Sequence, residues 1–325
     1  MNIHSIKFRI ISLCVALISF GCLFRFLVVL PLAQEEIRDL VSAQQLSIAS
    51  YIADEVDQKV RARKETLARI AATYPHDLQD ETDIVQKWLI RAQTTSPFFR
   101  SGMILIGQDH TVHSTVGPAT IANYREALFS NGPLLQNILN SGEPKISPAF
   151  NDADTDAAMI AFGVGVRDRS GAVTAVLIGL TRLDAAGFLQ ELNAQEWGND
   201  GSYLIISPQD QQFLGASDPA LILKNTPAPG INVLHDKAMQ GYRGSGVTTN
   251  AQGVEEMVGI QSVPSTGWFV VSRIPIEKAY SPIKAITRYV VVAGTLLAAI
   301  ALTCLLLFLP HVFRRLDRTT QAIGD

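Results

Sequence analysis

The chain has 325 residues, 47% of them hydrophobic and 18% charged, with a formal net charge of −3. It is too apolar for an ordinary soluble protein of this length, so part of its surface is expected to face lipid. The near-balanced charge, with no Lys/Arg cluster interleaved with aromatics away from the membrane flanks, excludes nucleic acid as a partner.

Residues 1–9 carry Lys7 and Arg9 and read as a cytoplasmic N-terminus. Residues 10–32 read as a first transmembrane helix: Ile10 to Leu30 is apolar apart from Arg25, close to the ~20 residues that cross ~30 Å of hydrocarbon. Arg25 lies near Pro31, and its long stem lets the guanidinium reach the headgroups. A cleaved signal peptide is the competing reading, although the apolar run is long for one and Pro31 stands where a small residue is wanted.

Residues 33–80 are expected to form a long helix rising from the membrane. No Pro or Gly occurs from Glu35 to Tyr74, and Ile37, Val41, Ile48, Ile52, Val56, Val60, Leu67 and Ile70 recur mostly at three- to four-residue multiples. Such a helix is a wall for a domain to pack on, and a homodimer seam along it is compatible with the same pattern.

Residues 81–183 change to strand periodicity after a helix over Asp83 to Thr94. Gly102 to Gly107 is an apolar strand, Gln108 to His110 a turn and Thr111 to Ser114 its return. Tyr124 to Ser141 has helical spacing, Ser147 to Asp156 is a loop, and Ala158 to Val166, a turn at Asp168 to Gly171 and Ala172 to Leu180 form a long hairpin. Residues 184–286 repeat that order after a joining helix over Asp184 to Ala194. Gly201 to Ser207 with Gln212 to Gly215 is one hairpin, and Glu256 to Val263 with Trp268 to Arg273 the other. Matching Gly102 with Gly201, Met159 with Met257 and Gly171 with Gly267 keeps a nearly constant offset, as a duplicated structural unit does. Each copy is expected to be an antiparallel sheet with helices on one face. Tyr203 and Trp268 read as core residues of the second copy. Ile276 to Arg288 reads as a helix leading toward the second span.

Residues 289–309 read as that second transmembrane helix, and residues 310–325 as cytoplasmic, since Arg314, Arg315 and Arg318 follow the span. Both termini are then inside a bacterial inner membrane, with residues 33–288 periplasmic. Cys14, Cys22 and Cys304 all fall in the spans, so the outer domain has no cysteine to pair.

This order of span, long helix, two stacked sheets and span resembles the double Cache module of bacterial transmembrane receptors. The resemblance rests on the duplication and on turn phrases such as Val166-Arg-Asp-Arg-Ser-Gly-Ala172. It implies an α+β fold of two tandem PAS-like antiparallel-sheet subdomains packed on the N-terminal helix and flanked by transmembrane helices. Pro310 to Asp325 resembles the start of a HAMP linker. The family precedes methyl-accepting, kinase or diguanylate cyclase outputs, and many members bind metabolites in the membrane-distal sheet.

The amino-acid-binding subset holds the ligand carboxylate with an Arg followed by two aromatics, and the amine with an aromatic-x-Asp phrase and a later Asp. Arg125 fills the first place, but Ala127 and Leu128 stand where the aromatics belong; Phe150 and Asp152 fit the phrase, and the later Asp falls on Leu180 or Thr181. The resemblance therefore implies a ligand other than a conventional amino acid. A carboxylate or other anion is expected, held by Arg125 with Arg100, and with Tyr124, Phe150, Asp152 and Asp154 around it. A surface role for Arg125 is the alternative.

The carboxylates of Asp152-Ala-Asp-Thr-Asp156 alternate as at the start of a calcium loop, but Ala157 and Gly163 occupy the positions that need Gly and Glu. His110 and His113 have no third ligand at a suitable spacing. Trp88, Phe98 and Phe99 read as core in preference to pocket lining. No nucleophile elbow, phosphate loop or zinc motif is present, so neither a catalytic site, a cofactor nor a metal is expected. The expected function is a small-molecule-sensing input module that signals through the second span. A membrane-tethered module for a protein or envelope partner is the alternative, and a membrane-anchored enzyme the third reading.

Overall fold

The computed structural model describes residues 30–76, 82–117, 134–152, 155–185, 188–194 and 201–281, with scattered helical positions within 13–27 and 288–307. Residues 42–275 form one compact unit, and residues 1–41 with 276–325 a second. In the second unit the described residues include a short helix, Ile276–Ala279, and residues 282–287 of the expected longer helix lie outside the description. Among the described residues no helix is long and apolar enough to cross a membrane. The two apolar stretches and the HAMP-like segment lie mostly or wholly outside them.

Helix α1, Leu30–Ala71, has 42 residues and so runs about 63 Å at 1.5 Å per residue. It ends a few residues earlier than the absence of Pro and Gly predicts, in a turn at Ala72 and Thr73. Helix α2, Thr82–Thr95, buries Val85, Leu89 and Ala92, and the period of these residues is what makes it amphipathic.

The first sheet, named distal here after the family resemblance, contains β1 (Gly102–Gly107), β2 (Val112–Val116), β3 (Lys145–Ile146), β4 (Phe150–Asn151), β5 (Ala158–Arg167) and β6 (Val173–Arg182). Their order is β2-β1-β6-β5-β3, with β4 also paired to β5, and every pair is antiparallel. Helix α3, Leu134–Ser141, precedes β3. The proximal sheet contains β7 (Ser202–Ser207), β8 (Gln212–Ala216), β9 (Gly244–Thr249), β10 (Glu255–Val263) and β11 (Trp268–Pro275). It runs β8-β7-β11-β10-β9, the same path with β7 in the place of β1. Helix α4, Gln190–Ala194, lies between the sheets in sequence, and α5, Val233–Met239, precedes β9.

One core cluster joins α1 and α2 to one face of each sheet, through Ile52, Val60, Leu105, Phe162, Tyr203 and Trp268 among others. Trp88 packs on this cluster edge-on to Tyr74, 5.3 Å between ring centres, and Phe99 is fully buried in it. Both sheets also have a second apolar face. Helix α3 covers the distal one with Leu134, Leu135 and Ile138, which corrects the expectation of helices on one face only. The duplication also needs a one-residue adjustment. Ile160 and Met257 share the α1 side of their strands, whereas Met159 belongs to the opposite distal cluster. Because side chains alternate along a strand, a pairing that is one residue out exchanges the two faces.

Polar contacts fasten α1 to the proximal hairpin. Lys64 Nζ donates to Ser265 O at 2.7 Å, Ser265 N donates to Asp57 Oδ1 at 2.7 Å, and Ser272 Oγ donates to Gln45 Oε1 at 2.5 Å. Asp57 also pairs with Arg61 at 2.7 Å. Asp57→Ala leaves the Ser265 amide without this acceptor and is expected to cost about 1–3 kcal/mol. Urea unfolding of the full chain, with an unchanged m-value, would measure it.

Candidate functional site

The second face of the distal sheet is built from alternate residues of three strands: Ile104 and Ile106, Met159 and Ala161, and Val176, Ile178 and Leu180. Gly163 lets α3 approach, since a Cβ there would lie 2.5 Å from Ile138 Cδ1. Phe150 pairs with Met159 across β4 and β5 and packs on this cluster.

Two residues on, Asp152 is 8% exposed. Its amide donates to Ala157 O and its carbonyl accepts from Asp156 N, both at 2.9 Å, and Asp156 closes the turn at a φ of 54°. Thr155 Oγ1 donates to Asp152 Oδ2 at 2.5 Å. The loop is thus folded back on itself, with a buried carboxylate at its root. Nearby Arg182 forms a two-pronged pair with Asp184 at 2.7 and 2.8 Å. That hydrogen bonding raises the Arg182 pKa above its ordinary value, with a smaller contribution from the charge of Asp152.

Of the other candidate residues, Tyr124, Arg125 and Asp154 lie outside the described residues. Arg100 lines a shallow groove with Gln93 to Pro97 at the end of α2. Leu180 is fully buried in the second-face cluster, with 0% exposure. Thr181 points the other way, and its hydroxyl donates to Phe98 O at 3.0 Å. Of the two positions that could carry the family's later Asp, Leu180 is therefore the one on the Phe150 face. His113 Nε2 stands 4.0 Å from Asp109 Oδ1. Thr111 is the main hydrogen-bond partner of Asp109 and holds its carboxyl below the usual range. Among the described residues no group of three or more His, Cys, Asp or Glu is placed to hold a metal ion.

A further cavity, not anticipated from the sequence, lies on the second face of the proximal sheet. Its volume is about 300 Å³. Leu204, Val258, Ile260 and Val271 form an apolar floor, and Leu234 and His235 of α5 line it as well. Asn232 caps α5, accepting from Leu234 N and His235 N, and receives the Thr248 hydroxyl at 2.6 Å. Glu256 and Arg273 line the same cavity. They lie on adjacent strands because the β10–β11 register pairs Val258 with Arg273 and Glu256 with Pro275. Glu256 Oε1 accepts from Asn250 Nδ2 at 2.7 Å, and Arg273 Nε donates to Ser202 Oγ at 3.0 Å. Burial lowers the His235 pKa below the ordinary imidazole value, the charge of Asp236 opposing it, so the ring is neutral at pH 7. The folded pKa is the lower one, so this contribution to stability is present above the unfolded imidazole pKa and is lost as pH falls through the folded one.

Comparison with known proteins places this architecture. The structure aligns with the periplasmic sensory domain of the Campylobacter jejuni chemoreceptor Tlp1 at a TM-score of 0.57 and 15% identity, over 76% of this chain and 99% of that one. It aligns with the ligand-binding domain of the Pseudomonas aeruginosa amino-acid chemoreceptor PctC, in complex with GABA, at 0.52 and 17%, over 70% and 96%. For the ligand-binding domain of the Pseudomonas fluorescens chemoreceptor CtaA, in complex with L-alanine, the values are 0.51 and 17%, over 72% and 97%. At these identities the likeness is one of fold. No curated protein matches significantly. The family profile described as Cache domain matches residues 33–283. That match spans most of the sequence, and the chain belongs to the Cache domain family.

Proposed function

We propose that this chain is the ligand-sensing input module of a bacterial transmembrane receptor, with residues 33–288 periplasmic and both termini cytoplasmic. The two apolar stretches anchor it, and the HAMP-like segment carries the signal onward. A homodimer belongs to the same reading. The observation that carries it is the apolar second face of the distal sheet, which ends at Phe150 and the buried carboxylate of Asp152 in a chain of the Cache family.

The ligand is a carboxylate or another small anion bound by Arg125, with Arg100 as an outlying cation. Leu180 supports this reading over an amino acid: it occupies the Phe150 face with a buried hydrocarbon, and a ligand ammonium would there lack a charge-assisted partner worth about 1.5–3 kcal/mol. Binding closes the loop containing Asp152 and favours one of two packings of the outer domain. A tenfold shift in their ratio requires about 1.4 kcal/mol of differential affinity.

Thermal-shift measurements on the full chain in detergent, against small carboxylates, inorganic anions and amino acids, test this. Arg125→Ala is expected to weaken the stabilising anion at least tenfold, about 1.4 kcal/mol, with a smaller loss for Arg100→Ala. The site assignment fails if Arg125→Ala and Asp152→Ala both leave every stabilising ligand's effect intact.

A further inference from the structure

We propose that the proximal sheet carries a second small-molecule site, whose ligand is a compact zwitterion with a branched apolar body. The cavity of about 300 Å³ is at the small end of ligand pockets, which run from about 300 to 1,000 Å³. Its floor is hydrocarbon, supplied by Leu204, Val258, Ile260 and Val271. A body of branched methyl groups fits such a floor.

The head is specified by charge. Glu256 Oε2 and Arg273 Nη1 stand 3.6 Å apart, with side-chain exposures of 8% and 21%. A guanidinium–carboxylate pair in direct contact closes to about 2.7–2.9 Å. Here the two charges are neighbours without being hydrogen-bonded to each other. Each is instead held from its far side, Glu256 by Asn250 and Arg273 by Ser202, so their facing atoms keep bonding capacity. A lone ligand anion would meet Glu256, and a lone cation would meet Arg273, as a like charge at close range. A head carrying both charges on adjacent groups sets its ammonium on Glu256 Oε2 and its carboxylate on the Arg273 guanidinium. Lys224 also lines the cavity, but it is solvent-exposed beside β8, two strands from β11.

The test uses the full chain in detergent and calorimetric titration with L-leucine, isovalerate and isoamylamine, which share a branched body and differ in the head. L-leucine is expected to bind, and its two singly charged analogues to bind at least tenfold more weakly. Glu256→Gln keeps the shape and an acceptor for Asn250, and is expected to weaken L-leucine by roughly tenfold to a hundredfold, the loss of one charge-assisted contact. Val271→Phe fills the floor and should abolish binding independently of charge. Asp152→Asn, which alters the distal face, should change this binding far less than either proximal variant. The proposal is overturned if none of the three probes binds, if the analogues match L-leucine, if both proximal variants bind like the parent, or if Asp152→Asn alone removes binding. In the last case L-leucine occupies the distal face, and the sensor reading stands without its preference for an anion.

Discussion

Gly259→Ala is expected to lower the stability of the folded chain by about 3 kcal/mol or more, the upper range for forcing extra volume into a packed interior. Gly259 lies on the face of β10 that meets α1. A Cβ there would stand 2.3 Å from both Gln45 C and Leu46 N, and 2.4 Å from Gln45 O. These are backbone atoms of a helix, which cannot swing aside as a side-chain end can. The added methyl must therefore push α1 away from the proximal sheet, which also strains the Ser272–Gln45 bond directly across from Gly259. Gly171→Ala supplies the comparison. That position has nothing within 4 Å and a φ of 89°, so its cost is conformational only, roughly 1–2 kcal/mol. At ~2–4 °C per kcal/mol for a domain of this size, thermal unfolding should separate the two variants clearly. Equal losses would show that close approach of α1 is not what Gly259 serves.

The second large effect concerns Arg63, an arginine 1% exposed on the inner side of α1. Its guanidinium lies over two rings, 4.2 Å from the centre of Phe188 and 4.9 Å from that of Phe98, and Nη1 donates to Lys59 O at 3.0 Å. Desolvation lowers its pKa to about 10, with the charge of Glu191 opposing. Arg63→Ala removes the cation and most of a large buried side chain, leaving the two rings without packing between them. The expected loss is about 3–5 kcal/mol, as for other large-to-small core substitutions. Arg63→Met keeps most of the volume and removes the desolvated charge, which often makes little net difference; its expected loss is under about 1.5 kcal/mol. Denaturant unfolding of both variants distinguishes the two contributions. If Met is as damaging as Ala, the charge rather than the volume carries the effect.

The strand framework was readable because its strongest segments alternate cleanly and end in Gly, Pro or Asp turns, as in Gly102–Gly107 and in the hairpins closing at Gly171 and Gly267. Strand β9 escaped notice because Gly244-Ser-Gly-Val-Thr-Thr249 offers one aliphatic residue and no buried one. Helix α5 is seven residues long, and its first residue, Val233, is exposed; so short a segment has no legible period. β3 and β4 hold two residues each and exist only as additions to the edge of β5.

The distal candidates could be named only by resemblance, because helical spacing around Arg125 carries no ligand signal and the loop of Asp152 has no period. The proximal cavity had a usable signal that passed unread. Once the hairpin turn is placed so that Val263 faces Trp268, alternation puts Glu256 and Arg273 on one face of adjacent strands, a buried acid beside a base amid hydrocarbon. What sequence spacing alone does not supply is α5, the helix that lines this pair's pocket and turns a sheet surface into a cavity.

Helix α1 contributes to a single apolar cluster that contains Phe162 of one sheet and Tyr203 and Trp268 of the other. Two sheets that share a wall cannot lose it separately: exposing the inner face of either uncovers part of the interior of its neighbour. The division into distal and proximal halves is a division of topology, not of free energy.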